Sequence, residues 1–542
     1  MRSQSLAVCA LSLLLGSACT LFSDLAVHQC ESSSDCDILD GSIRRCVDEQ
    51  CVAGCESNHH CSEFDPRAPI CPAPGAECVS LTSDDGRCYV SSTYDDSSMG
   101  SMVGSDLTIV GAFAPTLGSS TWLSLGLAAD ELNTALLAGS SALAPTLVVL
   151  CHGGDDTIES MKHLAGRLGS AAVVASVEAV PLDAIRQQPD LAGQTLLLSP
   201  NPTEAAPEGS DARLLWYLGG RYTDAVPVYT ALIRRLQVSI EARLTPSRGL
   251  RIASLISEAR EDVLLSAAVE AALELDGRNT NYLFREDRFR RFQLSDNSPD
   301  SRTTLPAAIA GYAPDLVLVF AGGEFQTPAG EPRLGILRAL EEAAEGSEWS
   351  PFHLLGPRAL GDNTTAQLAA STERFRSSAF GVSLDRTSEP GRREELLGRF
   401  ALAFPGASLA SLYPALNAYD ALYYVAYATG VARTQRQAVN ADALMDGLAR
   451  VTDPAADCVD VGPEGIGAAS EAIRAGATFQ LCGVTGAARF TPDHARGGQT
   501  SLFCWTASSV VTTVNVSSML SAGDPSVGGE CAAAFSSLRG AQ

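Results

Sequence analysis

Residues 107–113 read LTIVGAF, an apolar run with the length of a buried strand. Leucines then recur with roughly helical spacing at Leu123, Leu127, Leu132 and Leu136. A buried strand followed by an amphipathic helix is the repeating unit of α/β proteins. This stretch therefore predicts the first strand and helix of an α/β domain.

The same alternation continues along the chain. Apolar runs typical of strands lie at 147–151, 171–176, 195–199, 251–257, 316–321 and 353–355. Stretches typical of helices lie at 158–168, 228–241, 263–275 and 337–344. Strands that alternate with helices predict a parallel sheet with helices on both faces. Because one compact sheet does not hold this many units, we expect two similar lobes.

The charge balance limits the classes of partner. The 542 residues include 38 Lys and Arg against 63 Asp and Glu, which gives a net charge of −25 at pH 7. The phosphates of a nucleic acid would be repelled, so no nucleic-acid partner is expected. Lys162 is the single lysine, and a phosphate-binding loop of the G-K-[ST] type is absent. The basic, aromatic run at 288–292 (RFRRF) is interpreted as a solvated surface.

The first 18 residues are typical of an export signal. Arg2 precedes an apolar run at 6–15 that is too short to span a bilayer, and three small residues precede Cys19. This end resembles a bacterial lipobox, which implies that Cys19 becomes the lipidated first residue of an exported protein. The alternative is an ordinary cleaved signal with an incidental Cys19. Because Thr20 rather than Asp follows the cysteine, the outer membrane is the favoured destination.

A cysteine-rich segment at 30–90 follows a short tether at 19–29. Its nine cysteines form two four-residue units of similar spacing and one remainder: Cys30, Cys36, Cys46 and Cys51; Cys55, Cys61, Cys71 and Cys78; and Cys88. This density in an exported chain predicts a small disulfide-rich module, a spacer or a protein-contact surface. The alternative is a zinc site, against which the absence of a C-x2-C pair argues. Residues 91–106, rich in Ser, Gly and Asp, predict a flexible linker.

Further cysteines lie in the large domain. Cys458, Cys482, Cys504 and Cys531 are even in number and are expected to pair among themselves. Cys151 then remains with the unmatched cysteine of the module, either bridged to it or with both as free thiols. The run that begins at Cys151 (CHGGDD) is interpreted as structural, because neighbouring side chains at a strand end point apart.

Four patches of sequence occur in a fixed order. They are 109–115 (IVGAFAP) with 128–133 (AADELN), 251–256 (RIASLI), 417–428 (NAYDALYYVAYA) and 483–490 (GVTGAARF). In order and spacing they resemble the type I periplasmic solute-binding proteins of the branched-chain amino acid (leucine/isoleucine/valine) family. The resemblance spans roughly 107–506 and implies a two-lobed α/β fold of two parallel-sheet lobes with a hinge.

The resemblance also implies where the lobes begin and end within a domain at 107–542. Lobe 1 is expected at about 107–215 and 360–478, and lobe 2 at about 216–359 and 479–542. The three crossings between the lobes are expected near 214–220, 356–361 and 476–485. The Tyr-rich stretch within 413–427 is interpreted as core packing rather than as a binding site.

Loops at the carboxyl ends of the strands would hold the ligand between the lobes. The resemblance places its contacts at Trp122, Ser176, Glu178, Asn201, Thr203, Glu258 and Glu324. Trp122 corresponds to the aromatic residue that covers the ligand in that family. The family's paired serines are absent here, since Ser176 stands alone and Glu178 follows it. The carboxylate of Glu178 at the entrance of the site would repel the carboxyl group of an amino acid. A cationic or polyol ligand is therefore as reasonable as an amino acid.

The implied function is capture of a small polar solute, an amino acid or a related compound, for an ABC importer. No enzymatic activity, cofactor or metal is expected, and the membrane is reached only through the lipid anchor. The alternative is a ligand-sensing or surface interaction lipoprotein without a transport role. A hydrolase is disfavoured, because the sequence has neither a G-x-S-x-G elbow nor an H-E-x-x-H motif.

Overall fold

In this computed structural model, the N-terminal region is described at 44–47, 50–55, 61, 70–71, 78–83 and 86–90. Between 108 and 515 all residues are described except 115–119, 138–142, 144–145, 153–156, 176–194, 203–213, 243, 245–247, 259, 295–298, 322–335, 346–348, 358, 360–362, 385–389, 406–411, 436–438, 493, 498–499 and 506–510. The predicted signal segment, Cys19, the tether and the linker lie outside the described residues. The chain divides into two compact units, Met1–Leu107 with Gly166–Gly169 and Thr108–Ala165 with Ser170–Gln542.

The first unit begins with an antiparallel hairpin. Strands β1 (Arg44–Val47) and β2 (Gln50–Ala53) pair so that Cys46 stands opposite Cys51. These are the last two cysteines of the first predicted four-cysteine unit, and its first two lie outside the described residues. A third short strand, β3 (Cys88–Val90), is the last described element before the linker.

Two disulfides link described cysteines that follow the hairpin. They join Cys55 to Cys71 and Cys61 to Cys78, so the second predicted four-cysteine unit pairs first with third and second with fourth. The sulfurs of Cys55, Cys61 and Cys78 lie within 4.8 Å of one another. A zinc site needs thiolates, which disulfide-bonded cysteines do not supply. Cys88 is likewise disulfide-bonded and not a free thiol, so the predicted disulfide-rich module is present.

The first sheet of the second unit is parallel. Its strands are β4 (Thr108–Ala114), β5 (Thr146–His152), β6 (Ala172–Ala175), β7 (Leu196–Ser199) and β8 (Leu215–Tyr217). They pair in the order β5-β4-β6-β7-β8. Numbered along the chain this is 2-1-3-4-5, a common order of doubly wound α/β sheets. The strands are continuous apolar runs because helices bury both faces of such a sheet.

The remaining strands form a second large sheet and two small ones. In chain order they are β9 (Ile252–Ser257), β10 (Glu274–Leu275), β11 (Arg278–Asn279), β12 (Phe289–Leu294), β13 (Leu316–Phe320), β14 (Phe352–Leu355), β15 (Ala379–Ser383), β16 (Cys458–Asp460), β17 (Gln480–Gly483), β18 (Gly486–Ala487), β19 (Ser501–Trp505) and β20 (Val511–Asn515). The large sheet has the order β12-β9-β13-β14-β15-β19-β20. Its first five strands are parallel and repeat the order 2-1-3-4-5, whereas β19 and β20 are antiparallel additions.

Helices alternate with these strands. In chain order they are α1 (Ser120–Leu137), α2 (Thr157–Met161), α3 (Val226–Glu241), α4 (Arg260–Ala272), α5 (Thr280–Arg285), α6 (Pro299–Tyr312), α7 (Ile336–Ala344), α8 (Asn363–Ser371), α9 (Glu373–Ser378), α10 (Pro390–Ala403), α11 (Leu412–Thr434), α12 (Ala441–Val451) and α13 (Ile466–Ala475). A π-helical turn, Lys162–Arg167, continues α2 over the second half of the helix predicted there. Within the described parts of the chain, each helix is too short or too polar to span a bilayer.

The first lobe consists of the first sheet, α1, α2, α10–α13 and the small sheet of β16, β17 and β18. The long helix α11 packs against α1, α12 and α13 and contacts β4 and β6. It is apolar all round, as a helix enclosed by other elements must be, and Tyr419, Tyr423, Tyr424 and Tyr427 are completely buried. This confirms that the Tyr-rich stretch packs in the core.

The second lobe consists of the second large sheet with α3–α9. Side chains from α3 and α4, such as Tyr229 and Leu265, cover one face of the sheet. Side chains from α6 to α9, such as Leu340 and Phe375, cover the other face. Two parallel sheets with the same strand order, preceded by a disulfide-rich module, confirm the predicted two-lobed α/β fold class.

The crossings between the lobes differ in part from the expected ones. The first follows β8, since Ala225 and the helix α3 already pack in the second-lobe core. The second follows Ser383 and not 356–361, because Ala359 packs in the second-lobe core and β15 pairs with β14. The third follows β18 and not 476–485, because β17 pairs with β16 in the first lobe.

The structure also bears on the cysteines of the large domain and on the basic run at 288–292. A disulfide joins Cys458 to Cys482 across β16 and β17, and Cys151 and Cys504 are also disulfide-bonded. Cys531 lies outside the described residues. The run at 288–292 is not merely a solvated surface, because Phe289 is completely buried as the first residue of the edge strand β12.

Candidate functional site

The carboxyl ends of the parallel strands define the candidate site. Within each lobe, parallel strands place the loops that follow them along one edge of the sheet. Open α/β sheets bind ligands at that edge. Seven residues were expected to contact ligand there, and the structure describes Trp122, Asn201 and Glu258. Ser176, Glu178, Thr203 and Glu324 lie outside the described residues.

Asn201 lies in a loop that the first lobe holds firmly. It is half-buried two residues after the end of β7, and the Ser199 hydroxyl donates to its carbonyl oxygen at 3.4 Å. The side-chain amide of Asn417, on α11, donates to the carbonyl oxygen of Pro200 at 2.9 Å. On the other side, Gly219 lies so close that a Cβ there would overlap the backbone of this loop. Packing against α11 and against the chain after β8 thus fixes the position of Asn201.

Trp122 lies in the first turn of α1, after the carboxyl end of β4. Its side chain is 6% exposed, so little of the indole is available to a solute. Thr121 and Ser124 beside it are also buried. Trp122 thus contributes mainly to the wall of the first lobe, and its contact with a ligand stays a prediction.

Glu258 follows β9 at the carboxyl edge of the second sheet and is exposed. The residue before it, Ser257, is buried and donates a hydrogen bond of 2.7 Å to the carboxylate of Asp262, in the first turn of α4. Gln293 on the neighbouring β12 donates to the Ser257 carbonyl oxygen at 3.1 Å. The loop is therefore held from both sides, and the Glu258 carboxylate is left facing water.

Three of the described strands end in a buried serine, and none of these serines was among the predicted site residues. They are Ser199 on β7, Ser257 on β9 and Ser383 on β15. The signal in the sequence is a hydroxyl residue that ends each apolar run. The Ser199 hydroxyl bonds to the loop that follows its strand and the Ser257 hydroxyl to the first turn of α4, so both shape the edge of their sheet.

A buried polar network was also missed. Asp420, on α11, is completely buried and accepts hydrogen bonds from the backbone N–H of Val484 at 2.9 Å and of Thr485 at 3.1 Å. The Thr485 hydroxyl donates to the same carboxylate at 2.5 Å, and the Arg496 guanidinium lies 4.0 Å from it. Burial raises the pKa of the Asp420 carboxyl, and the charge of Arg496 and these hydrogen bonds oppose that shift. The network joins α11 to the turn between β17 and β18.

A second cluster joins the helices of the first lobe. The Glu131 carboxylate on α1 forms an ion pair of 2.8 Å with Arg399 on α10. It also accepts hydrogen bonds from the hydroxyls of Tyr423, at 2.9 Å, and of Tyr419. Burial, and then the nearby Glu131 charge, raise the pKa of Tyr419. Because every group in this cluster has a partner inside the lobe, it is a structural contact rather than a ligand site.

No protein family matches the sequence, and no curated protein matches it either. Among solved structures, the chain is similar to a putative branched-chain amino acid ABC transporter from Rhodospirillum rubrum, at 15% identity and a TM-score of 0.46 over 75% of this chain and 100% of that one.

Two other solved structures are similar to a comparable degree. A leucine-binding protein from Thermotoga maritima has 9% identity and a TM-score of 0.45, over 76% of this chain and 98% of that one. An extracellular ligand-binding receptor from Verminephrobacter eiseniae has 12% identity and a TM-score of 0.49, over 75% of this chain and 100% of that one. It is the repeated strand order of the two sheets, rather than these likenesses, that establishes the two-lobed α/β fold.

Proposed function

We propose that this chain is an exported, non-enzymatic solute-binding protein that captures a small polar ligand between its two lobes. The observation that carries the proposal is the repetition of one parallel sheet order, 2-1-3-4-5, in two lobes of a single compact unit. The chain crosses between these lobes three times. Two sheets joined in this way can rotate toward each other, and a ligand that contacts both shifts the equilibrium to the closed form.

The ligand class follows from the charge of the candidate contacts. Three of the seven expected positions are glutamates, Glu178, Glu258 and Glu324, and Glu258 is exposed to water. Asn201 adds an amide that both donates and accepts. We propose a solute with an ammonium group or several hydroxyl donors, which such carboxylates would bind, and an ABC importer as its acceptor.

Thermal unfolding of the full chain in the presence of candidate solutes tests this proposal. The candidates are amino acids, amides, polyamines and sugars. A solute at about a hundred times its Kd stabilises the folded state by about 2.7 kcal/mol, which raises the melting temperature measurably. No shift with any of the four classes would contradict the proposal.

Site variants then test the expected contacts. Asn201→Ala and Glu258→Gln are expected to weaken binding of the active solute by about tenfold or more each, the effect of losing one polar contact. Glu274→Gln is the matched control, since Glu274 is an exposed carboxylate on β10. Equal affinities for all three variants would place the binding site elsewhere.

The lipid anchor is a separate proposal. Small residues before Cys19 support lipidation of that cysteine, and Thr20 supports the outer membrane as the destination. Metabolic labelling with an alkyne fatty acid is expected to mark the wild-type protein and not Cys19→Ser. A labelled Cys19→Ser, or an unlabelled wild type, would contradict the anchor.

The disulfide-rich first unit favours a second candidate function, that of a ligand-sensing or surface interaction lipoprotein. A module with two interleaved disulfides within 55–78 is more than a simple tether requires. Genes for two permeases and two ATPases beside this one would favour transport. Solute binding without such genes would favour the sensor.

A further inference from the structure

Residues 489–492 and 494–497 form a short hairpin on the way from the first lobe to the second, and we name these residues the hinge hairpin. Phe490 pairs with Arg496 in an antiparallel bridge. The N–H of Thr491 donates to the Ala495 carbonyl oxygen at 2.8 Å, and the N–H of Gly497 donates to the carbonyl oxygen of Arg489 at 2.8 Å. The hairpin is therefore closed by its own backbone.

The backbone of the hinge hairpin continues the first sheet. The N–H of Tyr217, at the end of β8, donates to the His494 carbonyl oxygen at 3.0 Å. In return the N–H of Arg496 donates to the Tyr217 carbonyl oxygen at 2.8 Å. Beside these bonds the Trp216 ring stacks on His494, with centroids 4.7 Å apart, and meets the edge of Phe490 at 4.6 Å.

The side chain of Arg496 ties the same hairpin to the interior of the first lobe. It is 3% exposed and donates hydrogen bonds to Thr485 Oγ1 and to the carbonyl oxygens of Gly486 and Ala487. Its charge is balanced by the buried carboxylate of Asp420, 4.0 Å away. Removal of one partner of such a buried pair strongly destabilises the protein, because the other charge is left uncompensated.

On the first and third crossings, a glycine closely follows the backbone attachments to the first lobe, and beyond Gly220 the Arg221 side chain still donates to Thr491 Oγ1 of the hairpin at 3.2 Å. On the first crossing, Gly220 has φ +75, and a Cβ there would lie 3.2 Å from the Arg496 carbonyl oxygen. Tyr222, two residues later, already packs on the second-lobe core. On the third crossing, Gly497 is the last residue bonded within the hairpin, and Leu502 belongs to the second-lobe core.

We propose that Asp420 and Arg496 are positioning residues that fix the hinge hairpin to the first lobe. On the first and third crossings, the bend that accompanies rotation between the lobes is then confined to Gly220–Arg221 and to the chain beyond Gly497, whereas the second crossing, after Ser383, lies outside this attachment. This inference rests on the proposed function only because it assumes that the two lobes rotate relative to each other. The pair sets where the chain bends and contacts no solute.

Hydrogen exchange of the ligand-free full chain tests the attachment. The amides of Tyr217 and Arg496 are expected to exchange as slowly as those of β7, because both are bonded within the first lobe. Arg496→Met is expected to accelerate exchange of both by about tenfold or more, while the amide of Leu318, in the second sheet, is unchanged. Fast exchange in the wild type, or no change in the variant, would overturn the proposal.

Two further variants keep the test informative if Arg496→Met does not fold. Thr485→Val removes the hydroxyl that links Asp420 to Arg496 with little change of shape, and is expected to accelerate the same two amides to a smaller extent. Arg374→Met is the matched control: it removes a second-lobe arginine that donates to Glu341 at 2.9 Å and Ala344 at 3.0 Å. The Arg374→Met protein is expected to leave the amides of Tyr217 and Arg496 unchanged, and acceleration there would overturn the assignment.

Spin-label distances test the location of the bend directly. Labels on exposed Pro492→Cys and Glu471→Cys, both in the first lobe, are expected to give one narrow distance distribution. Labels on Pro492→Cys and exposed Ala308→Cys, on α6, are expected to give a broader one. The reverse order would attach the hairpin to the second lobe and overturn the proposal. The hydrogen-exchange and spin-label measurements both use protein without ligand. Their outcome therefore does not depend on whether the proposed solute binding is correct.

Discussion

The side-chain amide of Asn417 donates a hydrogen bond of 2.9 Å to the main-chain oxygen of Pro200. Asn417 is 1% exposed and lies on α11, which follows all the parallel strands of the second lobe in the sequence. Pro200 precedes Asn201 in the loop after β7. The late helix therefore positions a loop of the candidate site that was formed much earlier in the sequence.

Asn417→Ala is expected to loosen that loop. The carbonyl oxygen of Pro200 loses its donor in a buried place, which costs about 1–3 kcal/mol in the free energy of unfolding. Urea denaturation measures this loss. Once a solute is identified, its affinity is expected to fall together with the order of the loop around Asn201.

The control for Asn417→Ala is Asn440→Ala. Asn440 caps α12, where its side chain accepts from the N–H of Ala443 at 2.9 Å, so its removal costs about 1 kcal/mol. It does not hold the loop after β7, and solute affinity is expected to stay constant. If both variants changed affinity equally, the effect would be one of stability alone.

His353 is expected to make the stability of the second lobe sensitive to acid. It lies on β14, is completely buried, and neither ring nitrogen has a hydrogen-bond partner among the described residues. Burial, and then the charge of Arg374, lower the pKa of His353 from 6.5 to about 3. Between pH 6.5 and about pH 3, His353 takes up a proton in the unfolded chain but not in the folded one. The contribution to stability is therefore complete above pH 6.5 and falls as the pH drops toward 3, by about 1.4 kcal/mol per pH unit.

His353→Leu is expected to remove this dependence. Urea denaturation at pH 7.5 and 4.5 measures it as the difference between wild type and variant at each pH. The variant is expected to gain about 2–3 kcal/mol relative to the wild type at the lower pH. Parallel stability profiles for the two proteins would show that His353 is not buried in its neutral form.

The sequence predicts the strands of the lobes well where a short, continuous apolar run marks a strand. The predicted runs at 195–199 and 316–321 correspond to β7 and β13 within a residue at either end. Both strands are buried on two faces, so tertiary contacts and local pattern favour the same state. The two-lobed fold could be predicted for the same reason.

Features that depend on contacts distant in sequence could not be predicted. Strand β12 (FRRFQL) could not be predicted as a strand, because its position at the edge of the sheet exposes Arg290 and Arg291 to water while Phe289 is buried. The second crossing was expected too early, because nothing local distinguishes Gly356 from the glycines of a true crossing. The Asp420–Arg496 pair joins a residue of the 417–428 patch to one that lies beyond the 483–490 patch, and nothing in the local sequence of either residue indicates the other.

The ion pair of Glu131 with Arg399 is expected to stabilise the first lobe more than an exposed pair of equal length. Glu131→Gln leaves Arg399 and two tyrosine hydroxyls facing a neutral amide in a site where the Glu131 side chain is 10% exposed. The expected loss is about 1–3 kcal/mol in the free energy of unfolding, measured by urea denaturation. The control, Glu159→Gln, breaks a pair with Lys162 that is also 2.8 Å long but 55% and 37% exposed, and about 0.5 kcal/mol or less is expected. Equal losses would show that water reaches the Glu131 cluster.

The absence of a side chain at Gly381 is required by Phe503. The two residues stand opposite each other where β15 meets the antiparallel β19, and a Cβ at Gly381 would overlap the Phe503 ring. Gly381→Ala is therefore expected to cost about 1–3 kcal/mol of stability, measured by urea denaturation.

Phe503→Leu in the same chain is expected to recover part of the loss caused by Gly381→Ala, because a smaller side chain leaves room for the methyl group. Gly398→Ala in α10 is the control, since a Cβ there meets no atom within 4 Å. A helical glycine replaced by alanine in open space is expected to stabilise the chain by about 0.5–1 kcal/mol. Additive losses in the Gly381→Ala/Phe503→Leu protein would mean that the junction of β15 and β19 shifts to admit the methyl group, and that the ring of Phe503 does not determine the glycine.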